Sequence, residues 1–278
     1  MKNMFNWDKV KDRVGFYASW QERDASAMIE FAAKYEVRRV VFDLLNLDMS
    51  PERMKKKTIH GIKKLAKKKK VRTSFRAPKD LDFLSLHHNI HQAVMSRTIE
   101  VVELAQALDA ESVVFSIPPR IRLPHPDGFL PITEVYPKEI RDALSRSLHI
   151  LYAFSDGIDV CISNTPGLMT DPVVNACLKE FIKKEQLWLC LDIGNLFRSD
   201  ANELNYFVRN RKSIRHCFLH DADQTGDHLP LGSGEIEFKP LLEILPEDIP
   251  VPLILKARSR EETIVNLQTF RKKFCSKT

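Results

Sequence analysis

Residues Ile214–Phe238 read I-R-H-C-F-L-H-D-A-D-Q-T-G-D-H-L-P-L-G-S-G-E-I-E-F. A short apolar, β-prone run turns polar at His220–Asp223 and crosses a glycine-punctuated loop through Gly232-Ser233-Gly234. Beyond it lies the helical-looking Lys239–Leu245. His220, Asp221, Asp223, Asp227 and His228 therefore crowd the segment that follows a strand and precedes a helix. That is where a parallel α/β barrel gathers its reactive groups.

The same unit repeats through the chain. β-prone runs occur at Arg13–Trp20, Val37–Leu45, Val71–Pro78 and Ser112–Pro118, then at Ile158–Thr165, Leu187–Ile193 and Val251–Ala257. Helical patterns separate them: Ala25–Tyr35 with Asp24 as N-cap, His88–Leu108, Lys138–Phe154, Asp171–Lys184 and Ala201–Asn210. Ser50-Pro51-Glu52 has the residues of a cap and a first-turn proline for the lysine-rich helix, and Ser259-Arg-Glu-Glu262 reads as a capping box for Glu261–Phe274. Eight β-α pairs without a break in composition predict an α/β fold, a single (β/α)8 TIM barrel over residues 1–278. The rival, a doubly wound open sheet, lacks the glycine fingerprints that bind nucleotides. Pro118–Pro137 is long enough to be a functional loop over the strand ends.

Composition narrows the partners. The net charge of +6 is concentrated in Lys55–Lys70 and Arg271–Lys277. In the first run Ile59, Ile62 and Leu65 recur at helical spacing, which describes the solvated face of an amphipathic helix. It has no interleaved aromatics, so nucleic acid is not the expected partner. Five cysteines without a C-x-x-C pair point to reduced thiols and a cytoplasmic protein. No run approaches the roughly 20 apolar residues of a membrane span.

Four stretches carry a resemblance: A-Q-A-L-D-A-E-S-V-V-F (105–115), N-T-P-G (164–167), L-C-L-D-I-G-N (189–195) and the loop L-H-D-A-D through E-I-E-F (219–238). Together they resemble the xylose-isomerase-like TIM barrels, which include sugar isomerases and epimerases, inosose dehydratases and endonuclease-IV-like phosphodiesterases. The resemblance implies a divalent metal held by Glu on strand five, Asp on strand six, His on strand seven and Glu on strand eight. The endonuclease-like branch adds histidines from strands three and four. Here the strand-five L-E-N reads Ile162-Ser163-Asn164, and a histidine expected three residues after Asp192 is Asn195. The first histidine of H-x-H-D is Phe218, leaving His220 and Asp221, and the strand-eight Glu is Lys256. Strands three and four offer Arg76 and Ser116. Of the implied ligands, Asp192 and the loop residue His228 remain.

An ammonium at a ligand position repels a cation, so no metal and no cofactor are expected. Ser163, Asp192, Phe218 and Lys256 sum to zero charge without any ion. The candidate catalytic residues are Asp192, Lys256, His228 and His220. Lys256 and Arg76 would hold an anionic oxygen while Asp192 or His228 exchanges a proton. Ligand contacts are expected from Arg76, Ser116, Ser163, Asn164, Asn195, Asp221 and Asp43, the last being equally suited to a structural ion pair. The resulting expectation is a sugar isomerase- or epimerase-like protein with a degenerate, metal-independent site that acts on or binds a small polar or anionic sugar-like molecule; an oligomer is compatible with it. The alternatives are a binding protein in which a Lys256–Asp192 salt bridge plugs the old site, a metal site rearranged onto Asp192, His220, Asp221 and His228, and an endonuclease-like phosphodiesterase. Cys161 and Cys190 are expected as interior fillers, His87, His88 and His91 at the surface, Arg97 in a cap or pair, and Gly232 and Gly234 in turns.

Overall fold

Each of the eight β-prone runs forms a strand in the computed structural model, which describes residues 5–19 and 21–276. Trp20, at the end of the first run, and Lys277 of the basic tail lie outside the described residues. The strands are β1 (Val14–Ala18), β2 (Arg39–Asp43), β3 (Arg72–Arg76), β4 (Ser112–Ser116), β5 (Asp159–Ser163), β6 (Trp188–Asp192), β7 (Ile214–Leu219) and β8 (Leu253–Leu255). All pair in parallel, and β8 returns to β1 with Leu253 opposite Val14 and Leu255 opposite Phe16, closing the barrel. The connecting helices are α1 (Ala25–Lys34), α2 (Lys56–Lys69), α3 (His88–Ala107), α4 (Pro137–Phe154), α5 (Pro172–Lys183), α6 (Ala201–Arg209), α7 (Phe238–Leu242) and α8 (Arg260–Phe274). Among the described residues no helix is long and apolar enough to cross a membrane.

Strand alternation sorts the side chains into two cores. Outward residues such as Phe42 and Phe75, with ring centroids 5.8 Å apart, join the large core beneath the helices. Inward residues Val41, Val114, Cys161, Cys190, Phe218 and Ile254 form a separate apolar plug inside the barrel, touched by Tyr17 and Trp188. Cys161 and Cys190 thus lie two residues below Ser163 and Asp192, as a period of two requires. Below the plug the interior is polar again. Ser112 Oγ donates to Ser74 Oγ at 3.1 Å and lies 3.4 Å from His216 Nδ1. Burial, with the charges of Arg39, Arg76 and Lys256, pushes the His216 pKa down to about 3, so this imidazole is neutral. The register of β7 on β6 shifts between Ile214 and His216, leaving Arg215 as an extra residue and aligning Phe218 with Asp192.

Three local expectations change. Ser50-Pro51-Glu52 does not start α2: Ser50 ends a 3-10 turn at Leu47–Met49, and α2 begins at Lys56 with Lys55 as an N-cap lacking a side-chain hydrogen bond. The buried Met49 and Met54 hold the intervening segment against the core. The Ser259 box is half formed, because Ser259 Oγ accepts the Glu262 amide while the Glu262 carboxylate takes the Arg258 amide and guanidinium. His87 and His88 are exposed, but His91 is buried between α3 and α4, where Nε2 lies 3.2 Å from the Ala143 carbonyl and 3.0 Å from Ser147 Oγ. Burial lowers its pKa. Arg97 pairs with Glu52 and Glu100.

The 118–137 segment folds as a hairpin, Arg122–His125 against Gly128–Pro131, followed by a single helical turn at Ile132–Val135. Asp171 fastens it. One carboxylate oxygen caps α5 through the amides of Val173 and Val174, and the other accepts from Arg120 and Thr133, both at 2.7 Å. Burial raises the Asp171 pKa, but these hydrogen bonds and the Arg120 charge outweigh it and the net shift is downward. Asp171→Ala removes the cap and strands Thr133 and Arg120, and is expected to cost about 2–4 kcal/mol. Urea denaturation checks it, with an unchanged midpoint counting against the fastening role.

A candidate ligand site at the barrel mouth

β6 ends in Asp192 and β8 runs into Lys256, two strand positions with β7 between them. Lys256 Nζ donates to Asp192 Oδ2 at 2.5 Å, and both side chains are buried. His220, just past the end of β7, donates from Nε2 to Asp192 Oδ1 at 2.8 Å. The tautomer follows from the other nitrogen: the His228 backbone amide donates to His220 Nδ1 at 3.0 Å, so Nδ1 carries no proton. The Asn195 amide also reaches Asp192 Oδ1, at 3.2 Å. Desolvation works to raise the Asp192 pKa, yet Lys256 and His220 hold it well below the ordinary 3.8. Phe218 fills the space beneath, with Lys256 Nζ 4.5 Å from its ring centroid.

The backbone around Asp192 is held by two asparagines. Asn164 accepts the Asp192 amide at 2.7 Å and donates to its carbonyl at 3.1 Å, while Asn195 Nδ2 donates to the Asn164 carbonyl at 2.8 Å. Asn164 and Asn195 are therefore positioning residues for the carboxylate. Gly194, without an assigned role in the sequence, is required sterically. A β-carbon there would overlap the His220 ring.

On the opposite wall Arg76, 3% exposed, ends β3. Its guanidinium donates from Nη2 to Ser116 Oγ and lies 5.5 Å from the Phe218 centroid. Asp43 is its neighbour in register but is committed elsewhere: Oδ2 accepts the Tyr17 hydroxyl at 2.5 Å and Oδ1 the Leu45 amide at 3.0 Å. Asp43 is thus neither an exposed site carboxylate nor a member of an ion pair among the described residues. Burial and the Asp43 charge hold the Tyr17 phenol well above its usual pKa, so it stays a donor. Ser163 Oγ is buried without a hydrogen-bond partner among the described residues. Lys79, which the sequence reading did not single out, is exposed at the rim; desolvation of its ammonium, then Lys256 and Arg76, lower its pKa.

The 220–236 loop splits its acids between two tasks. Asp221 is buried, and its oxygens accept the amides of Ala222, Gly232 and Ile236, so it builds the loop and has no oxygen turned to a ligand. Gly232 has the left-handed φ of 84°, as a turn glycine should, whereas Gly234 is there for space because a β-carbon would meet the Ala222 carbonyl and Asp221. Asp223 accepts the Thr225 and Gly226 amides in a local turn. His228 is half-buried and stacks on His220 with centroids 4.3 Å apart. Burial, Lys256 and His220 push its pKa down to about 3. It stands at the mouth as a neutral imidazole.

A family profile for the xylose isomerase-like TIM barrel matches residues 17–272. The chain belongs to this family. Similar solved structures include a D-tagatose 3-epimerase-like protein, 22% identical, covering 94% of this chain and 96% of that one with a TM-score of 0.74. D-psicose 3-epimerase from Clostridium cellulolyticum H10, solved with D-tagatose, is 11% identical with 95% and 100% coverage and a TM-score of 0.67. E. coli 3-keto-D-glucoside 4-epimerase is 12% identical with 94% and 98% coverage and a TM-score of 0.66. At these identities the likeness shows the shared barrel. No curated protein matches the sequence significantly.

Whether a xylose isomerase-like metal fits here can be judged from the donors. Asp192 has one oxygen on an ammonium and the other on His220 and the Asn195 amide. Both His220 nitrogens are engaged, and Asp221 faces its own loop. Among the described residues no three His, Cys, Asp or Glu side chains gather as a cation site, so the rearranged set of Asp192, His220, Asp221 and His228 does not converge. The donors present do not suit a divalent ion.

Two outcomes test this geometry. Lys256→Met leaves a buried carboxylate short of its counter-ion and should destabilise the protein by about 3–5 kcal/mol at neutral pH. Because the folded Asp192 pKa is depressed, the pairing contributes above the unfolded value near 3.8 and is lost as pH falls through the folded one. The gap between wild type and variant should therefore shrink as pH falls below about 4, as measured by denaturation from pH 7 to 2; a gap that stays constant down to pH 2 would contradict the assignment. Gly194→Ala should displace the His220 ring, which His220 Cε1–H resonances would report by losing their shift relative to wild type.

Proposed function

We propose that this protein is a sugar isomerase- or epimerase-like barrel that works without a metal ion, acting on or binding a small polar or anionic sugar-like ligand at the barrel mouth. The observation that carries the reading is the Lys256–Asp192 pair at 2.5 Å over Phe218, where the family resemblance implies a metal between carboxylates. A cation fixed on a protein side chain offers ligand oxygens the electrostatic stabilisation that a bound ion would, at one fixed point. Support for a sugar-like ligand comes from the epimerase barrels of the same fold, one solved with D-tagatose. His228 is the group placed to exchange a proton, since it is partly exposed while Asp192 and His220 have their polar atoms engaged; burial and the Lys256 charge make it a weak base until an anionic ligand offsets that charge. Residues 1–278 are read as one unit carrying this site.

A second reading, a protein that binds such a ligand without turnover, is favoured by the saturation of both Asp192 oxygens. Solvent deuterium exchange separates the two. Incubated in D2O with D-fructose, D-psicose or D-tagatose, the active protein should label the ketose at carbon. His228→Ala should slow labelling by about 10²-fold or more with little change in ketose Kd. Binding without labelling selects the second reading. Elemental analysis of protein purified without added metal decides the metal question, and one tightly held divalent ion per chain would sink the proposal.

A further inference from the structure

The proposed site leaves one charge unaccounted for. Arg76 is 3% exposed and points into the barrel, with one N–H given to Ser116 and its Nε and Nη1 without a partner among the described residues. The carboxylate next to it in register, Asp43, has both oxygens taken by the Tyr17 hydroxyl and the Leu45 amide. Lys256 lies near the same Phe218 ring and already has Asp192 as its counter-ion. A guanidinium has five N–H donors and does not deprotonate in proteins, so it cannot relieve its burial by losing charge, as a lysine can.

The surroundings add donors on the same side. Ser163 Oγ, on the strand paired with β4, is buried and unpartnered among the described residues, and Ser116 and Ser163 face each other across that pair. Three cations, Arg76, Lys256 and Lys79, accompany two carboxylates, Asp43 and Asp192, an excess of one positive charge. The two histidines at the mouth do not alter it in the forms described above. Phosphate monoesters bring close to two negative charges at neutral pH, a carboxylate brings one. The planar guanidinium also matches a carboxylate in two parallel hydrogen bonds.

We propose that Arg76 is the anchor for a carboxylate on the ligand, so that the preferred substrate class is a sugar acid over the corresponding neutral sugar. The inference rests on the barrel-mouth reading above and deepens it. The ligand's carboxylate would accept from the Arg76 Nη2 hydrogen that Ser116 leaves free together with the adjacent Nε or Nη1, leaving its hydroxyl and carbonyl oxygens toward Lys256 and His228.

Calorimetric titration of the full chain with matched sugars tests it: D-glucuronate against D-glucose, D-fructuronate against D-fructose, and D-fructose 6-phosphate for the phosphate. The acids are expected to bind about tenfold or more tightly than their neutral partners, the scale of a charge-assisted pair. Arg76→Gln should erase that preference, so that within the variant each acid binds no more tightly than its neutral partner. The wild-type comparison stands by itself if the variant does not fold. Equal binding of acids and neutral sugars would overturn the carboxylate anchor yet leave the proposed function in place, whereas binding of none of the five would remove both. Tighter binding of the phosphate than of either acid, or an acid preference that survives Arg76→Gln, would also overturn it.

Discussion

A lysine just past β8 and an aspartate at the end of β6, both buried, meet over a phenylalanine from the strand between them. Much of the upper barrel is arranged to make that meeting tolerable. Two ions taken out of water need excellent geometry and further hydrogen bonds to offset their desolvation. Asp192 obtains them from Lys256, His220 and the Asn195 amide, and its backbone is locked to Asn164. Lys256 obtains a ring face from Phe218. His220 is itself held by the His228 amide and by the absence of a side chain at Gly194. Removing any one of these members disturbs the others, so the pair and its supports form one unit.

The barrel was readable because its signals are local and repeated. Eight apolar runs with polar ends, helices between them and the Asp24 cap all appear as the sequence suggests, and Asp171, read only as the start of a helix, is its cap. The same reasoning failed at Ser50, where cap and proline residues stand in a turn held by buried Met49 and Met54. It failed again at His91, where helix periodicity alone does not show that the neighbouring helix supplies a carbonyl and a hydroxyl. In both cases tertiary packing overrode a local pattern.

The site was legible in part for a related reason. Strand alternation places Ser163, Asp192 and Lys256 at the mouth, and their charges suggest an ion pair before any coordinates are known. Loop residues carry no such rule. Asp221 and His228 look interchangeable as polar loop residues, yet one serves three backbone amides and the other stands at the opening. The steric role of Gly194 and the position of Lys79 depend on which surfaces approach each other in space. No spacing in the chain encodes those approaches.

The hairpin that follows β4 has a mechanical consequence. Asp171 uses one oxygen to cap α5 and the other to hold Arg120 and Thr133 on either side of that hairpin. The hairpin and the first turn of the helix therefore share a single carboxylate. A swing that pulled Arg120 and Thr133 away would leave that oxygen bare in a buried position and loosen the end of α5. The stiffness of the hairpin is in this sense a property of a helix cap, and a change in either would be felt in the other.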